Sequence, residues 1–208
     1  MDQALLRGER VRLAAVNPET DPEIAAAWSR DDEFQSMLNT GAPTLLTARS
    51  LKAEMSESQG TDDRQINSYS FVIRALSDDR LIGFTDVDVK PWSQRNGWIA
   101  IGIGPREYWG QGYGTDAMRV LQRFAFTELN LDRLTLNVFA YNERAQRSYL
   151  KAGFTVEGRQ RERLRRGGRR YDMVFMGILR DEWRSREWQS REWRAQTGAT
   201  LTAPDGNQ

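Results

Sequence analysis

The chain contains no cysteine. Disulfides, thiolate nucleophiles, iron–sulfur clusters and Cys-ligated zinc are therefore excluded. It contains no histidine either. That removes Ser–His–Asp chemistry, His-paired nucleophiles and the common zinc-enzyme ligand sets. Acid–base work must fall to Asp, Glu, Tyr, Lys, a terminus or water. Carboxylate-bound magnesium stays open, but no acidic cluster has suitable spacing, so no metal is expected. No apolar run approaches the ~18 residues of a membrane span, and no membrane association is expected. The first thirty residues lack the apolar segment of a secretory signal, so the expected location is cytoplasmic. Lysine is scarce, at positions 52, 90 and 151 alone, and arginine carries the other positive charges.

What is present fits a soluble globular chain. Its 208 residues are 39% hydrophobic and 28% charged, enough to bury a core without disulfide staples. Thirty basic residues against twenty-nine acidic ones leave a net charge of +1. That balance argues against nucleic acid as a substrate, although local basic patches remain.

Hydrophobic periodicity predicts an entry strand over Val11–Ala14 and a helix over Pro18–Ser29. Residues 30–46 read as loop. A second helix is expected over Thr47–Ser58, ended by Gly60–Asp63. The period then changes to strands over Ser70–Leu76, Arg80–Val89 and Gly97–Ile103. Tyr113–Leu129 carries apolar residues at 117, 120, 121, 124 and 125, a helical stripe. A strand over Arg133–Phe139, a helix over Asn142–Ala152 and a hairpin of Phe154–Leu164 with Tyr171–Leu179 complete the order. Consecutive strands imply antiparallel pairing, and the strand–helix–strand from 97 to 139 implies one parallel crossover.

Beyond residue 180 the chain is rich in Arg, Glu and Trp. Glu182/Arg186 and Glu187/Arg191 are favourable i,i+4 pairs, so a helix is expected over 181–195 with a flexible tail over 196–208. Trp183, Trp188 and Trp193 recur every five residues and cannot form one helical stripe. Two readings stay open for them: packing on their own domain, or a homodimer or partner contact through this helix.

The most informative segment is Tyr108–Ala117. Gly110, Gly112 and Gly114 alternate after a strand and open the best helix in the chain. Glycines there let the backbone approach a ligand and aim successive N–H groups at it. The helix N-terminus adds unpaired donors and a positive dipole end. Together they suit phosphate or pyrophosphate. No Lys follows Gly114, so this is not a Walker loop. The spacing is not a Rossmann fingerprint, and Arg133–Phe139 ends without the acid that such a fold requires.

This segment resembles the acetyl-CoA pyrophosphate loop of the GNAT superfamily of N-acetyltransferases, with Trp109 where the family often has Gln or Arg. A second match runs through Asn142, Ala145, Tyr149, Lys151, Gly153 and Phe154. It is similar to an element of the Rim-type ribosomal-protein N-terminal acetyltransferases. A weaker one covers Met176–Leu179. The resemblance spans roughly residues 9–180 and implies the GNAT fold as one domain over 1–180. That is a mixed α/β architecture with a mostly antiparallel central sheet, splayed at two parallel strands and flanked by helices.

The resemblance also implies a cosubstrate, acetyl-CoA, wedged between strands 97–103 and 133–139. Its contacts would be Ile101, Ile103, Trp109, Gly110, Gln111, Gly112, Tyr113, Gly114, Thr115, Asn142, Ala145 and Lys151. Gly102 and Gly104 beside Ile103 suit a β-bulge and a close backbone approach. Tyr149 would serve as the acid toward the departing thiolate. Asn142 also reads as a plain helix N-cap, and Lys151 as a surface residue. Asp86 and Asp88 share one strand face and are candidate bases through water, or a solvent-facing pair. The wedge strand lacks the Glu that many members carry, which leaves the base unassigned. Arginines 159, 161, 163, 165, 166, 169 and 170 crowd the last hairpin, as a solvated face or as a contact for an acidic acceptor or an RNA-rich partner. The implied activity is direct transfer of an acetyl group to an acceptor amine, on a protein or peptide N-terminus. The alternatives are a small amine, antibiotic or polyamine, or a non-catalytic CoA-binding module.

Overall fold

A computed structural model describes residues 5–42, 44–59, 67–89 and 91–187. The expectations for residues 60–63, Trp188, Trp193 and the tail 196–208 lie outside the described residues. Strands β1 (Val11–Ala14), β2 (Ser68–Ala75), β3 (Leu81–Val89), β4 (Asn96–Ile103), β5 (Arg133–Phe139), β6 (Thr155–Arg166) and β7 (Arg169–Leu179) form one sheet. Its order is β1-β2-β3-β4-β5-β7-β6. Every neighbouring pair is antiparallel except β4 and β5. Those two are joined through α4 (Tyr113–Thr127), the expected parallel crossover.

The β4–β5 ladder is short. It pairs Asn96, Gly97 and Trp98 with Arg133, Leu134 and Thr135 and then stops. Beyond it the two strands diverge, leaving Ile99–Ile103 and Leu136–Phe139 without each other. α4 covers one sheet face with Ala117, Val120, Leu121 and Ala125, all 1% exposed or less. Leu134, Met176 and Ile178 meet them from the sheet.

Helices α1 (Asp21–Trp28), α2 (Asp32–Leu38) and α3 (Ala48–Gln59) precede β2. The segment read as a loop from residue 30 thus contains a helix. Asp31 caps it, accepting from the N–H groups of Glu33 and Phe34 (2.9 and 3.1 Å). Phe34 then packs edge-on against Trp28. Seven residues are too few for the pattern to announce itself without that tertiary partner.

The glycines beside Ile103 also serve a different end. The β3–β4 register runs from Gly83↔Ile103 to Val89↔Gly97 without a shift, so β4 has no bulge there. A Cβ at Gly102 would meet the Phe84 ring at 2.8 Å, and one at Gly104 the Trp28 indole at 2.1 Å. They admit two aromatic rings under the site.

Residues 180–187 are helical. Trp183 stacks on Phe126 of α4, with ring centroids 5.3 Å apart. Of the two readings for the tryptophans, packing on the same chain is the one Trp183 follows. Arg180 ties this segment down by donating from Nε to the Leu131 carbonyl at 2.6 Å.

One buried ion pair anchors α1. Asp21 is fully buried and accepts from Arg74 Nη2 at 2.7 and 2.8 Å and from the Asn17 N–H at 2.7 Å. Asp21→Ala should cost about 3 kcal/mol, because it leaves the part-buried Arg74 cation without its carboxylate. Urea denaturation measures this; a loss below about 1 kcal/mol would show that the pair is dispensable.

Candidate active site

The divergence of β4 and β5 opens a cavity of about 1200 Å³. One wall is β4 from Trp98 to Ile103 and the other is β5 from Leu136 to Phe139. The glycine turn closes one end, α5 (Glu143–Ala152) flanks the cavity, and Phe34–Thr40 of α2 and its exit reach it from the other end.

The glycine turn is built as the sequence suggests. Gly112 is the N-cap of α4 at φ +89°, a conformation that side chains disfavour. Gly110 has φ +74°, and a Cβ there would meet nothing within 4 Å. The turn is therefore an open concave surface at a helix N-terminus, the geometry that receives an anion. Its place is fixed by Asp116 in the first turn of α4. That carboxylate accepts from the N–H groups of Glu9, Arg10 and Val11 at 3.1, 2.7 and 3.0 Å. Thr115 Oγ1 lies 2.8 Å from Ser148 Oγ of α5, which joins the two helices beside the cradle. Sequence reading missed Asp116 and Ser148; their role is set by distant partners.

Gly110, Gln111, Gly112, Gly114 and Thr115 all line the cavity, as do Ile101, Ile103, Asn142, Ala145 and Lys151. Tyr113 does not. Its ring packs edge-on against Tyr108 at 5.0 Å, and Arg10 lies over it. Trp109 lines the cavity, but its indole is already engaged. Nε1 donates to the Ile103 carbonyl at 2.7 Å, and the Arg144 and Arg106 guanidiniums lie 3.9 and 5.4 Å from the ring. Arg106 also grips Asp31 through Nε and Nη2 (2.6 and 2.7 Å) and holds its carboxyl down to about 2. α2 is thereby tied to the turn that precedes the phosphate cradle.

The β4 backbone supplies donors to the gap. Gly104 donates to Ile82 on β3 at 2.9 Å. Backbone groups alternate sides along a strand, so the N–H groups of Ile101 and Ile103 face away from β3, toward the opening. β5 has stopped pairing there. An extended ligand inserted between the strands meets these donors as a missing strand would.

Asn142 is a helix N-cap at the edge of the cavity. It caps α5 by accepting from Ala145 N–H at 3.1 Å. Tyr149 sits two turns further along α5, packed edge-on against Phe154 at 6.4 Å. Its hydroxyl makes no hydrogen bond among the described residues, and the residue lines the cavity. Burial pushes the phenol up to about 12, so it stays protonated throughout the physiological range. A held phenolic O–H with no protein partner is a donor available to a ligand.

Asp86 and Asp88 stand opposite Ala100 and Trp98 in the β3–β4 register. They share the sheet face of Trp98, across from the α4 core, and neither lines the cavity. Among the described residues no group of three or more acidic side chains could hold a metal ion, and no helix is long and apolar enough to cross a membrane.

A parallel pair split into a wedge, with a glycine cradle at a helix start, defines a protein that binds an extended, phosphate-bearing cosubstrate. The family model for the Acetyltransferase (GNAT) domain matches residues 10–155. The chain belongs to this family and is an N-acetyltransferase that uses acetyl-CoA. Among curated relatives, the SPbeta prophage-derived uncharacterized N-acetyltransferase YokL of Bacillus subtilis is 26% identical over 178 residues. That match covers 85% of this chain and 93% of YokL. The putative ribosomal N-acetyltransferase YdaF of the same organism is 35% identical over 86 residues, covering 41% of this chain and 44% of YdaF. A crystal structure of spermidine N-acetyltransferase from Vibrio cholerae, in complex with CoA and spermine, superposes with a TM-score of 0.71. It is 22% identical, and the match covers 83% of this chain and 97% of that one. Relatives thus carry both ribosomal and polyamine names, and the Rim-type branch is one resemblance among several.

Proposed function

We propose that the acceptor is the α-amine of a peptide or protein N-terminus. The observation that carries this reading is the chemistry of the acceptor end of the cavity. Phe34, Met37, Leu38, Asn39, Thr40, Trp98 and Asn137 line it, and none is an acid or a base. The two carboxylates in the cavity wall, Glu9 and Asp116, belong to the cradle end. An α-amine has a pKa of ~7.7–8.0 against ~10.4 for an alkyl ammonium. Freeing the alkyl amine of its proton at neutral pH costs roughly 3.5 kcal/mol more. A site with no histidine and no carboxylate at that end is suited to the easier amine. The α-amine enters as its neutral fraction, and solvent water takes its proton once the C–N bond has formed.

Acetyl-CoA supplies the activated acetyl group. The glycine turn holds its pyrophosphate, with Lys151 near its charged end. The N–H groups of Ile101 and Ile103 hold its pantetheine arm and polarise the thioester carbonyl. The amine attacks that carbonyl directly, since the chain offers no Cys or His as an acyl carrier. Tyr149 donates its O–H to the leaving sulfur.

The polyamine reading draws on the Vibrio cholerae likeness. Against it, each further ammonium of a polyamine would need a carboxylate partner, and the acceptor end has none. Initial rates with a neutral peptide, its N-terminally blocked form carrying an internal Lys, and spermidine decide between them. The free-amine peptide should exceed both by about tenfold or more in kcat/KM, given the proton cost above. Spermidine or internal Lys as the better acceptor would overturn the α-amine assignment.

A further inference from the structure

The β6–β7 hairpin is where the chain's charge balance fails locally. Between residues 155 and 172 there are seven arginines and three acids. Arg159 pairs with Asp172 and Arg170 with Glu162. Arg163, Arg165 and Arg169 are exposed, and their side chains make no ion pair or hydrogen bond among the described residues.

The pleat sorts these arginines. Asn137 pairs with Phe175 and Phe139 with Met173, and Phe175 meets Trp98 edge-on. These residues share the sheet face that carries Trp98. Side chains two apart on a strand share a face, so Tyr171 and Arg169 continue it along β7. Their partners Leu164 and Arg166 continue it on β6. Arg166 and Arg169 therefore stand side by side on the acceptor face, at its hairpin end.

This end reaches the cavity mouth. Leu164 packs with Phe139 and Met173. Tyr141 stacks on Phe139, meets Tyr171 edge-on at 4.8 Å and donates to the Ser36 carbonyl at 2.5 Å. Arg166 Nη2 donates to the carbonyl of Asn39, a residue of the cavity wall. The Arg166 Nε is buried and has no hydrogen-bond partner among the described residues. A buried guanidinium N–H without an acceptor is an unmet demand for one. Among the described residues no carboxylate pairs with Arg166 or Arg169.

We propose that Arg166 and Arg169 form a carboxylate-binding site at the acceptor mouth, selecting acceptors with an acidic group close to the reacting amine. A guanidinium presents donors in a fork that matches a carboxylate. Two guanidiniums side by side suit a peptide flank with more than one carboxylate better than a single small anion; Arg163 and Arg165 fall on the opposite face by the same alternation. The inference rests on the α-amine reading in taking this mouth as the acceptor's entrance. It names the charge of the acceptor's flank, which that reading leaves open.

The test uses peptides with one common N-terminal residue and acidic, neutral or basic residues at the next three positions, with free glutamate and spermidine alongside. The wild type should favour the acidic peptide over the neutral one by about tenfold in kcat/KM, with the basic peptide the poorest. Arg169→Glu, at an exposed position, should erase or reverse that order, and Arg166→Gln should compress it. Unaltered acetyl-CoA affinity and melting temperature show that each variant is folded. A wild type that uses acidic and basic peptides equally overturns the proposal while leaving the α-amine reading in place. So does a preference that survives both substitutions. Free glutamate as the best acceptor, with its advantage lost in Arg169→Glu, supports the carboxylate site and instead overturns the peptide reading. Spermidine as the best acceptor overturns both.

Discussion

Gly112→Asp will abolish acetyl-CoA binding in a protein that still folds. Two effects combine. At φ +89° any side chain costs roughly 1–2 kcal/mol of backbone strain, relieved if the N-cap rearranges. The cradle then loses the shape that aims its N–H groups. The new carboxylate also faces the pyrophosphate. At ~5 Å and an effective dielectric of ~20, each like charge costs about 3 kcal/mol. That alone is about two orders of magnitude in affinity. The fold survives because only the Arg10 side chain lies near a Cβ at this position, at 3.6 Å. Calorimetry reads the binding and a thermal melt reads the fold. An unchanged dissociation constant in a folded variant would remove the cradle from the site.

Tyr149→Phe will lower kcat by roughly 10²–10⁴-fold, the range for a positioned proton donor. That corresponds to about 2.7–5.5 kcal/mol of lost transition-state stabilisation. The ring contact with Phe154 is retained. The hydroxyl has no partner among the described residues, so its removal leaves no buried group unpaired. Stability and acetyl-CoA affinity should therefore hold while turnover falls, which separates a chemical role from a packing one. Because the phenol stays protonated up to about pH 12, the wild-type rate should show no decline from this group on the alkaline side. Single-turnover kinetics with a saturating acceptor measure the step. A kcat within about twofold of wild type would mean that the thiolate leaves unaided.

The parts of the molecule legible in the sequence are those whose signal is local. The alternating glycines before an amphipathic helix announced a tight turn at its start, and Gly110 and Gly112 there take left-handed backbone. The change from strand runs to a single strand–helix–strand unit announced where the sheet turns parallel. The positions of Asn142, Ala145 and Tyr149 on one helix face needed only the helical period. What stayed hidden depends on distant partners. α2 is held by Asp31, Arg106 and the Trp28 ring, from three segments. Gly102 and Gly104 looked like provision for a bulge, and nothing in their neighbourhood names Phe84 or Trp28. Trp109 read as a cofactor contact, while its indole also fastens the carbonyl of Ile103. Asp86 and Asp88 could be placed on a face by parity, but their distance from the cavity wall could not.

The grip of Asp116 on the backbone of residues 9–11 bears on the order in which the molecule is made. Its partners lie 105–107 positions earlier in the chain. During synthesis the first strand leaves the ribosome long before α4 exists, and it must wait with three amides unclaimed. The local helix can form within a microsecond of its own emergence. The cradle at its start is fixed only when the two ends of that long loop meet. The entropy of closing such a loop grows only slowly with its length, so the wait is a matter of timing more than of stability. The cosubstrate site thus matures late, as a product of long-range docking, and the newborn helix alone does not carry it.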